Sequence, residues 1–300
     1  MVYINPRVDI AFKKIFGVEE NKDLLMSLIN AVVGPQDQVA DLTLLNPYNP
    51  KNFADSKLSI LDIKAQGQNG KRFNIEIQIS DEADYDKRAL YYWAKLYTEQ
   101  LKAGEDYASL SKAIGIHILN FTSIFGVEPY HNIFHIREKR SGMAYFEDLE
   151  LHTIELKKFC QNAEADLSEI LSKVQNSLDM WVAFLTRHEL LNKHQLPAPF
   201  HNPALQKALG VLEVMNFDES EQEVYEGHLK WLRVEANTLR KYESQGFEKG
   251  LQKGKRQGLQ EGKREIARVL LADGLSMEKV CQLTGLSVLE LQALHEERGG

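Results

Sequence analysis

Cysteine is scarce in this sequence of 300 residues, which contains only Cys160 and Cys281. The two lie far apart without the spacing of metal ligands, so we expect no disulfide and a reducing, cytoplasmic setting. Long apolar runs are also absent. No stretch approaches the length that spans a bilayer, and residues 1–14 lack the apolar segment of a signal peptide. We therefore expect neither secretion nor a membrane partner.

An overall excess of positive charge is missing as well, because the net charge is −7 and the isoelectric point is near 5.8. This balance argues against a protein coated with basic residues for nucleic-acid binding. The charge is uneven, however. Residues 239–264 carry eight Lys or Arg against three Glu, whereas residues 212–235 carry seven acids against two bases. Any affinity for DNA should therefore be local and sensitive to salt.

The sequence does contain a stretch of alternating polar and apolar residues, 58–79. Its pattern predicts two antiparallel strands joined by a turn at residues 68–71. The hairpin would bring Asp62 close to Glu76, with Lys64 on the face of Asp62. Spacing alone favours solvated surface residues. The alternative is a metal site, because two neighbouring carboxylates repel each other and Mg²⁺ relieves that repulsion through oxygen ligands.

Further motifs surround this hairpin in a distinctive order. Together they resemble the recombination-promoting nucleases, also called PD-(D/E)XK nuclease family transposases, and the likeness spans nearly the whole chain. It is carried by DIAFKKIFG at residues 9–17, Asp62, Glu76-Ile77-Gln78, RALYY at residues 88–92, HTIELKKF at residues 152–159 and the glycine-spaced tail. The resemblance reverses the preference for a solvated hairpin.

The resemblance implies a metal-dependent DNA endonuclease. Asp62 and Glu76 would hold Mg²⁺, with Mn²⁺ or Ca²⁺ as alternatives, and the backbone carbonyl of Ile77 would add a ligand. Gln78 occupies the position where the motif name has lysine. A lysine there would steady the attacking hydroxide and the scissile phosphate, whereas neutral Gln78 only hydrogen-bonds. This departure leaves the rate and the metal preference open.

Other charged residues near these motifs have two interpretations each. Lys64 would restore the missing positive charge, or it is a solvated strand residue. By resemblance, Asp9 is a candidate third carboxylate; from the residues alone, it forms a surface ion pair with Lys13 one helical turn away. Arg88 either faces the site and binds phosphate or lies on a helix surface.

A function of a different class remains open beside the nuclease. The chain would then be a catalytically silent DNA-binding or oligomerising protein of mobile-element origin. The sequence does not choose between roles in recombination, transposition and phage defence. We expect DNA as a partner and a homodimer, which suits the cutting of two strands.

The pattern of elements predicts an α/β fold in the first part of the chain. Strands interleaved with helices over residues 1–160 indicate a mixed sheet flanked by helices, which agrees with the restriction-endonuclease-like core that the resemblance implies. Residues 161–238 read as helices that pack on this core or form a subunit contact. His117, His131, His135 and His152 show no metal-site spacing.

The last segment, residues 239–300, completes an all-α C-terminal region. Its glycines recur every fourth residue, at Gly246, Gly250, Gly254, Gly258 and Gly262, and predict either a flexible linker or a helix with a stripe for close approach. Three short helices at residues 265–272, 276–283 and 287–296 have the size of a helix-turn-helix. The last of them is acidic, which favours contact with protein.

Overall fold

The computed structural model describes residues 4–48, 62–81, 84–160 and 165–296. The chain divides into two compact units, residues 1–232 and 233–300. The boundaries expected from sequence, after residues 160 and 238, stay predictions.

The first unit contains a mixed sheet with the spatial strand order β1-β2-β3-β4-β6-β5. The strand β2 pairs antiparallel with both β1 and β3. The strands β3, β4 and β6 run parallel, and β5 pairs antiparallel with β6 at the edge. Their bounds are β1 Leu42–Leu44, β2 Ile63–Gly67, β3 Arg72–Gln78, β4 Ala113–Leu119, β5 His131–Phe134 and β6 Leu149–Glu155. The predicted hairpin and mixed sheet are confirmed for these residues; the part of the hairpin before Asp62 lies outside the described residues.

Helices of the first unit flank both faces of the sheet. They are α1 Asp9–Phe16, α2 Lys22–Val32, α3 Tyr85–Thr98, α4 Leu156–Phe159, α5 Leu167–Lys173, α6 Ser177–Arg187 and α7 Pro203–Val214. The pair Asn5-Pro6 predicts a helix start, but α1 begins three residues later than Pro6, at Asp9. The Asn5 side chain instead accepts a hydrogen bond from the Arg7 amide and closes a turn before the helix.

One face of the sheet carries the main hydrophobic core. Isoleucines at alternate positions of the central strands, including Ile63, Ile75 and Ile116, are fully buried against α1, α2, α6 and α7. Trp181 of α6 packs edge-on to Phe16 at 5.4 Å between ring centroids. Since side chains alternate along a strand, the polar residues of β2 and β3 must point to the other face.

The other face of the sheet is covered by α3. The indole of Trp93 donates a hydrogen bond to the carbonyl of Ala113 at 2.7 Å, which fixes α3 to β4. All seven residues of β4 are buried, as expected for a central strand covered on both sides. The helix thus encloses the polar face of the predicted hairpin.

A long helix, α8 (Glu219–Ala272), runs through all five regularly spaced glycines. The linker expected as one alternative is therefore wrong for this segment. In the second unit, α9 (Met277–Thr284) and α10 (Val288–Glu296) follow turns at Gly274 and Gly285. A small core of Ala267, Val280, Leu286, Leu291 and Leu294 joins them to the end of α8. In the described part of the chain, no helix is both long and apolar enough to cross a membrane.

Substitution of Gly254 by alanine should stabilise α8. An added Cβ at Gly254 meets no atom within 4 Å, and alanine favours a helix interior by roughly 1 kcal/mol over glycine. Thermal unfolding followed by far-UV circular dichroism checks this. The matched control is Gly17→Ala, whose Cβ would lie 2.8 Å from the Lys13 carbonyl oxygen and should destabilise the protein by roughly 1–3 kcal/mol. A lower melting temperature for Gly254→Ala than for wild type would show that the space around residue 254 is not open.

Candidate active site

The pairing of β2 with β3 sets the position of the two predicted carboxylates. Ile63 pairs with Ile75 and Lys64 with Asn74. Continued by one residue, this register places Asp62 across from Glu76, so both side chains lie on the polar face. The carbonyl of Asp62 accepts hydrogen bonds from Lys13 Nζ at 3.0 Å and from Asn46 Nδ2 at 2.9 Å. The strand is therefore anchored where it presents the carboxylate.

Glu76 lies among polar groups beneath α3. One carboxylate oxygen is 3.4 Å from Arg88 Nη2, and the other is 3.9 Å from His117 Nδ1. Burial lowers the pKa of His117 to about 4, so this imidazole is neutral at pH 7. Its Nδ1 is 2.8 Å from the Tyr85 hydroxyl. The positive charge beside Glu76 therefore comes from Arg88 and not from His117.

Gln78 lies close to Glu76 on the same strand and contacts Arg88 as well. Its Nε2 donates to the carbonyl and to the hydroxyl of Ser80, each at 3.1 Å. Its Oε1 accepts from Arg88 Nη2 at 2.5 Å. Arg88 thus faces the polar side of the sheet, and the alternative of a helix-surface arginine is wrong.

Asp9 and Lys13 of α1 do not form the surface ion pair that their spacing suggests. Lys13 is completely buried and reaches the Asp62 carbonyl; burial lowers its pKa to about 8. The Asp9 side chain is 17% exposed, and its Oδ1 is buried without a hydrogen-bond partner in the described part of the chain. Burial and the charge of Glu76 raise the pKa of Asp9 to about 7. Asp9 is therefore electrostatically part of the site.

Lys64 lies on the same face but is directed to another partner. Its Nζ is 3.2 Å from Glu99 Oε2, and its strand position is opposite Asn74. The structure places the ammonium of Lys64 in an ion pair with α3's C-terminal flank. Its predicted role as the missing positive charge stays a prediction.

The donor set of this site fits a hard divalent cation. Within residues 4–48, 62–81, 84–160 and 165–296, no group of three or more His, Cys, Asp or Glu side chains could hold a metal ion. Mg²⁺ does not require such a group, because it binds through one or two carboxylates and completes its shell with water and phosphate oxygens. Asp62 and Glu76 are two such carboxylates, and burial together with the charge of Glu76 raises the pKa of a third, Asp9. Ile77 turns its side chain into the core, leaving only its backbone carbonyl as a donor.

Comparison with known proteins agrees with this arrangement. The family model of the PD-(D/E)XK nuclease family transposases matches residues 6–241. The chain belongs to this family. A second family model, the C-terminal helix-turn-helix domain of the Rpn/YhgA-like nuclease family, matches residues 260–296. No curated protein and no solved structure matches the chain at the significance required.

The family membership confirms the resemblance seen in the motifs and the restriction-endonuclease-like fold of this PD-(D/E)XK nuclease-family protein. The helix-turn-helix-like tail is confirmed as well, but the expected short helix at residues 265–272 is wrong, because these residues are the end of α8. α9 and α10 lie within the matched segment, and Ser287 and Glu290 form a capping box at the start of α10.

A second polar cluster lies on the opposite side of the sheet and was missed by reasoning from spacing. Glu150 contacts Lys112 at 2.8 Å, His152 at 2.7 Å and His135 at 3.6 Å. His131 lies 2.9 Å from His152, because β5 pairs antiparallel with β6. Burial would raise the pKa of Glu150, but the hydrogen bonds from His152 and Lys112 lower it to about 2. The alternation of Glu150, His152 and Ile154 is the signal that could have indicated a shared face.

The half-buried His131 should make folding stability depend on pH. Burial and the neighbouring His152 lower the pKa of His131 to about 4. Below the unfolded pKa of about 6.5 the unfolded chain takes up a proton that folded His131 does not, so stability falls as pH decreases from about 6.5 towards 4. His131→Asn should reduce the pH slope of the unfolding free energy in this window by up to one proton equivalent.

Urea denaturation at several pH values measures this slope. His194→Asn is the matched control, since His194 is exposed and should leave the slope unchanged. An identical slope for wild type and His131→Asn would show that the folded protein protonates His131 normally.

Proposed function

We propose that this protein is a divalent-metal-dependent DNA endonuclease that hydrolyses phosphodiester bonds. The observation that carries the proposal is the clustering of carboxylates on one polar face. The register of β2 with β3, continued by one residue, puts Asp62 opposite Glu76, and burial together with the charge of Glu76 raises the pKa of Asp9. A nuclease that holds Mg²⁺ gains from such clustering, whereas a purely structural sheet does not.

Each residue of the site has a role in this proposal. Asp62 and Glu76 hold Mg²⁺, or Mn²⁺ or Ca²⁺ in its place, and the carbonyl of Ile77 adds an oxygen. When bound, the cation supplies charge neutralisation at the phosphate and activation of water. Lys13 holds the Asp62 backbone through its hydrogen bond to the carbonyl. Asp9, as a third carboxylate, is partly protonated near pH 7 until a cation offsets the charge of Glu76.

The reaction is the addition of water across a phosphodiester bond. The water oxygen forms a bond to phosphorus, the bond between phosphorus and one ester oxygen breaks, and a proton of the water ends on the departing oxygen. The products are a phosphate monoester and an alcohol. The chain must therefore orient the water opposite the leaving oxygen and stabilise the negative charge that develops on phosphate. Lys64 is paired with Glu99, and its ammonium would contact the phosphate only after this ion pair breaks.

Removal of either metal-binding carboxylate should abolish cleavage and leave the fold intact. Asp62→Ala and Glu76→Ala each take away a ligand and also reduce repulsion with the remaining acids, so stability should hold or rise. Cleavage of supercoiled plasmid with Mg²⁺ or Mn²⁺ is the measurement, and activity should fall by at least roughly 10²-fold.

The matched control is Asp86→Ala, which removes an exposed carboxylate of α3 and should cleave like wild type. If wild type and both site variants cleave equally, the catalytic site does not lie in this hairpin. A wild type that binds DNA but never cuts it, with any of the three cations, would favour the catalytically silent DNA-binding alternative.

DNA retention belongs, in this proposal, to the basic part of α8, because the last helix of the helix-turn-helix segment is acidic. Residues 239–264 carry the local positive excess, and Lys249, Lys253, Lys255 and Arg256 are all exposed. Replacing these four by glutamine should reduce the slope of log affinity against log salt by up to roughly four, because each phosphate contact releases a counterion. Fluorescence anisotropy at graded salt concentrations measures the slope.

A control variant removes exposed charge elsewhere, at Lys139 and Arg140, and should keep the wild-type slope. Sedimentation of the full chain and of a protein ending at Thr238 tests the proposed homodimer, which should be lost on truncation. If neither the mass nor the salt slope changes, the segment after residue 238 serves neither assembly nor DNA retention.

A further inference from the structure

Gln78 stands at the motif position of a lysine, so the positive charge that the lysine would supply must come from another residue. The family name places lysine there, and a lysine would bring an ammonium to the scissile phosphate. Gln78 is neutral, 9% exposed and bound through its NH₂ group to Ser80. Its donor side is thus turned to Ser80, and its acceptor side is turned to α3. Gln78 therefore does not replace the lysine by itself.

Arg88 is the cation that meets this acceptor. A guanidinium carries only N–H donors, so the amide atom that it contacts must be the oxygen of Gln78. The same Nη2 is 3.4 Å from Glu76 Oε1. The guanidinium thus contacts both side chains of the Glu-x-Gln motif, including the glutamine that stands in place of the motif lysine.

Packing holds Arg88 in this position. Its Cζ lies 5.1 Å from the centroid of the Tyr85 ring, and the Tyr85 hydroxyl bonds to His117 of the neighbouring strand. A cation over an aromatic face is stabilised electrostatically. The side chain is partly exposed, at 29%, so a phosphate could reach it.

The charges of three lysines, Lys13, Lys64 and Lys95, act on Asp62. Lys64 is paired with Glu99, and Lys13 is completely buried on the Asp62 backbone. Arg88 differs from Lys64 and Lys13 because it contacts the motif side chains themselves. Arginine also suits phosphate better than lysine does, since its planar fork donates two parallel hydrogen bonds and remains charged at any physiological pH.

We propose that Arg88 supplies the positive charge that the motif lysine would supply, stabilising the scissile phosphate, and that Gln78 acts as its positioning residue. This inference rests on the proposed nuclease function. In this proposal Gln78 is not a weaker substitute for lysine. Its amide oxygen accepts a hydrogen bond from Arg88 and holds the guanidinium beside Glu76.

The test uses the full-length protein and measures kcat and KM for plasmid cleavage with Mg²⁺ and Mn²⁺. Arg88→Gln removes the charge but keeps a polar side chain, and should lower kcat by on the order of 10²-fold, with a smaller change in KM. Arg88→Lys should retain part of the lost rate. Lys87→Gln removes an exposed charge from the same helix turn and should behave like wild type.

Rescue separates a charge at the phosphate from a merely structural role. Adding Gln78→Lys to Arg88→Gln should raise kcat at least about tenfold above that of Arg88→Gln alone, because the new ammonium would take over the charge of the lost guanidinium. Gln78→Lys alone should not accelerate cleavage, since two cations would then face each other. Thermal unfolding of each variant shows whether it is folded, and Arg88→Lys remains informative if Arg88→Gln is not.

Three outcomes would overturn the inference. In the first, Arg88→Gln keeps the wild-type kcat while Asp62→Ala is inactive, which leaves the nuclease function standing. In the second, Arg88→Lys and the double variant are as slow as Arg88→Gln, which makes Arg88 structural. In the third, wild type itself fails to cleave with every cation, and the proposed function falls together with the inference.

Discussion

The antiparallel register between β2 and β3 is the constraint on which the candidate site depends. Ile63 and Ile75 pair directly and are fully buried, so a slip by one residue would move the isoleucines of one strand to the polar face. The core therefore fixes the register, and the register fixes Asp62 opposite Glu76. The chemistry of the site is in this sense a consequence of hydrophobic burial on the other side of the same strands.

Electrostatic balance explains how a folded chain tolerates this concentration of acids. Arg88 lies next to Glu76, whereas the pKa of Asp9 rises to about 7 because burial and the charge of Glu76 oppose its ionisation. The fold thus accommodates the two acids in different ways: the guanidinium of Arg88 offsets the charge of Glu76, and Asp9 is partly protonated. A site that must accept a divalent cation benefits from carboxylates whose charge is not fully neutralised beforehand.

Much of this arrangement could be predicted from the sequence because it depends on local periodicity. The alternation around Asp62 and Glu76 predicted the hairpin, and the order of strands and helices predicted the mixed sheet. The interpretations left open were those that depend on distant partners. Lys13 and Arg88 have the spacing of surface residues, yet one reaches the Asp62 carbonyl and the other Gln78.

The sequence by itself determined the faces of the strands, the α/β class of the core and the family, since side-chain period and motif order are properties of neighbouring residues. Only the tertiary structure decided which charges meet. His131 and His152 are brought together by the pairing of β5 with β6, and the packing of α3 on the sheet places Arg88 beside Glu76. Such contacts arise from long-range strand pairing and helix packing, which no local spacing encodes.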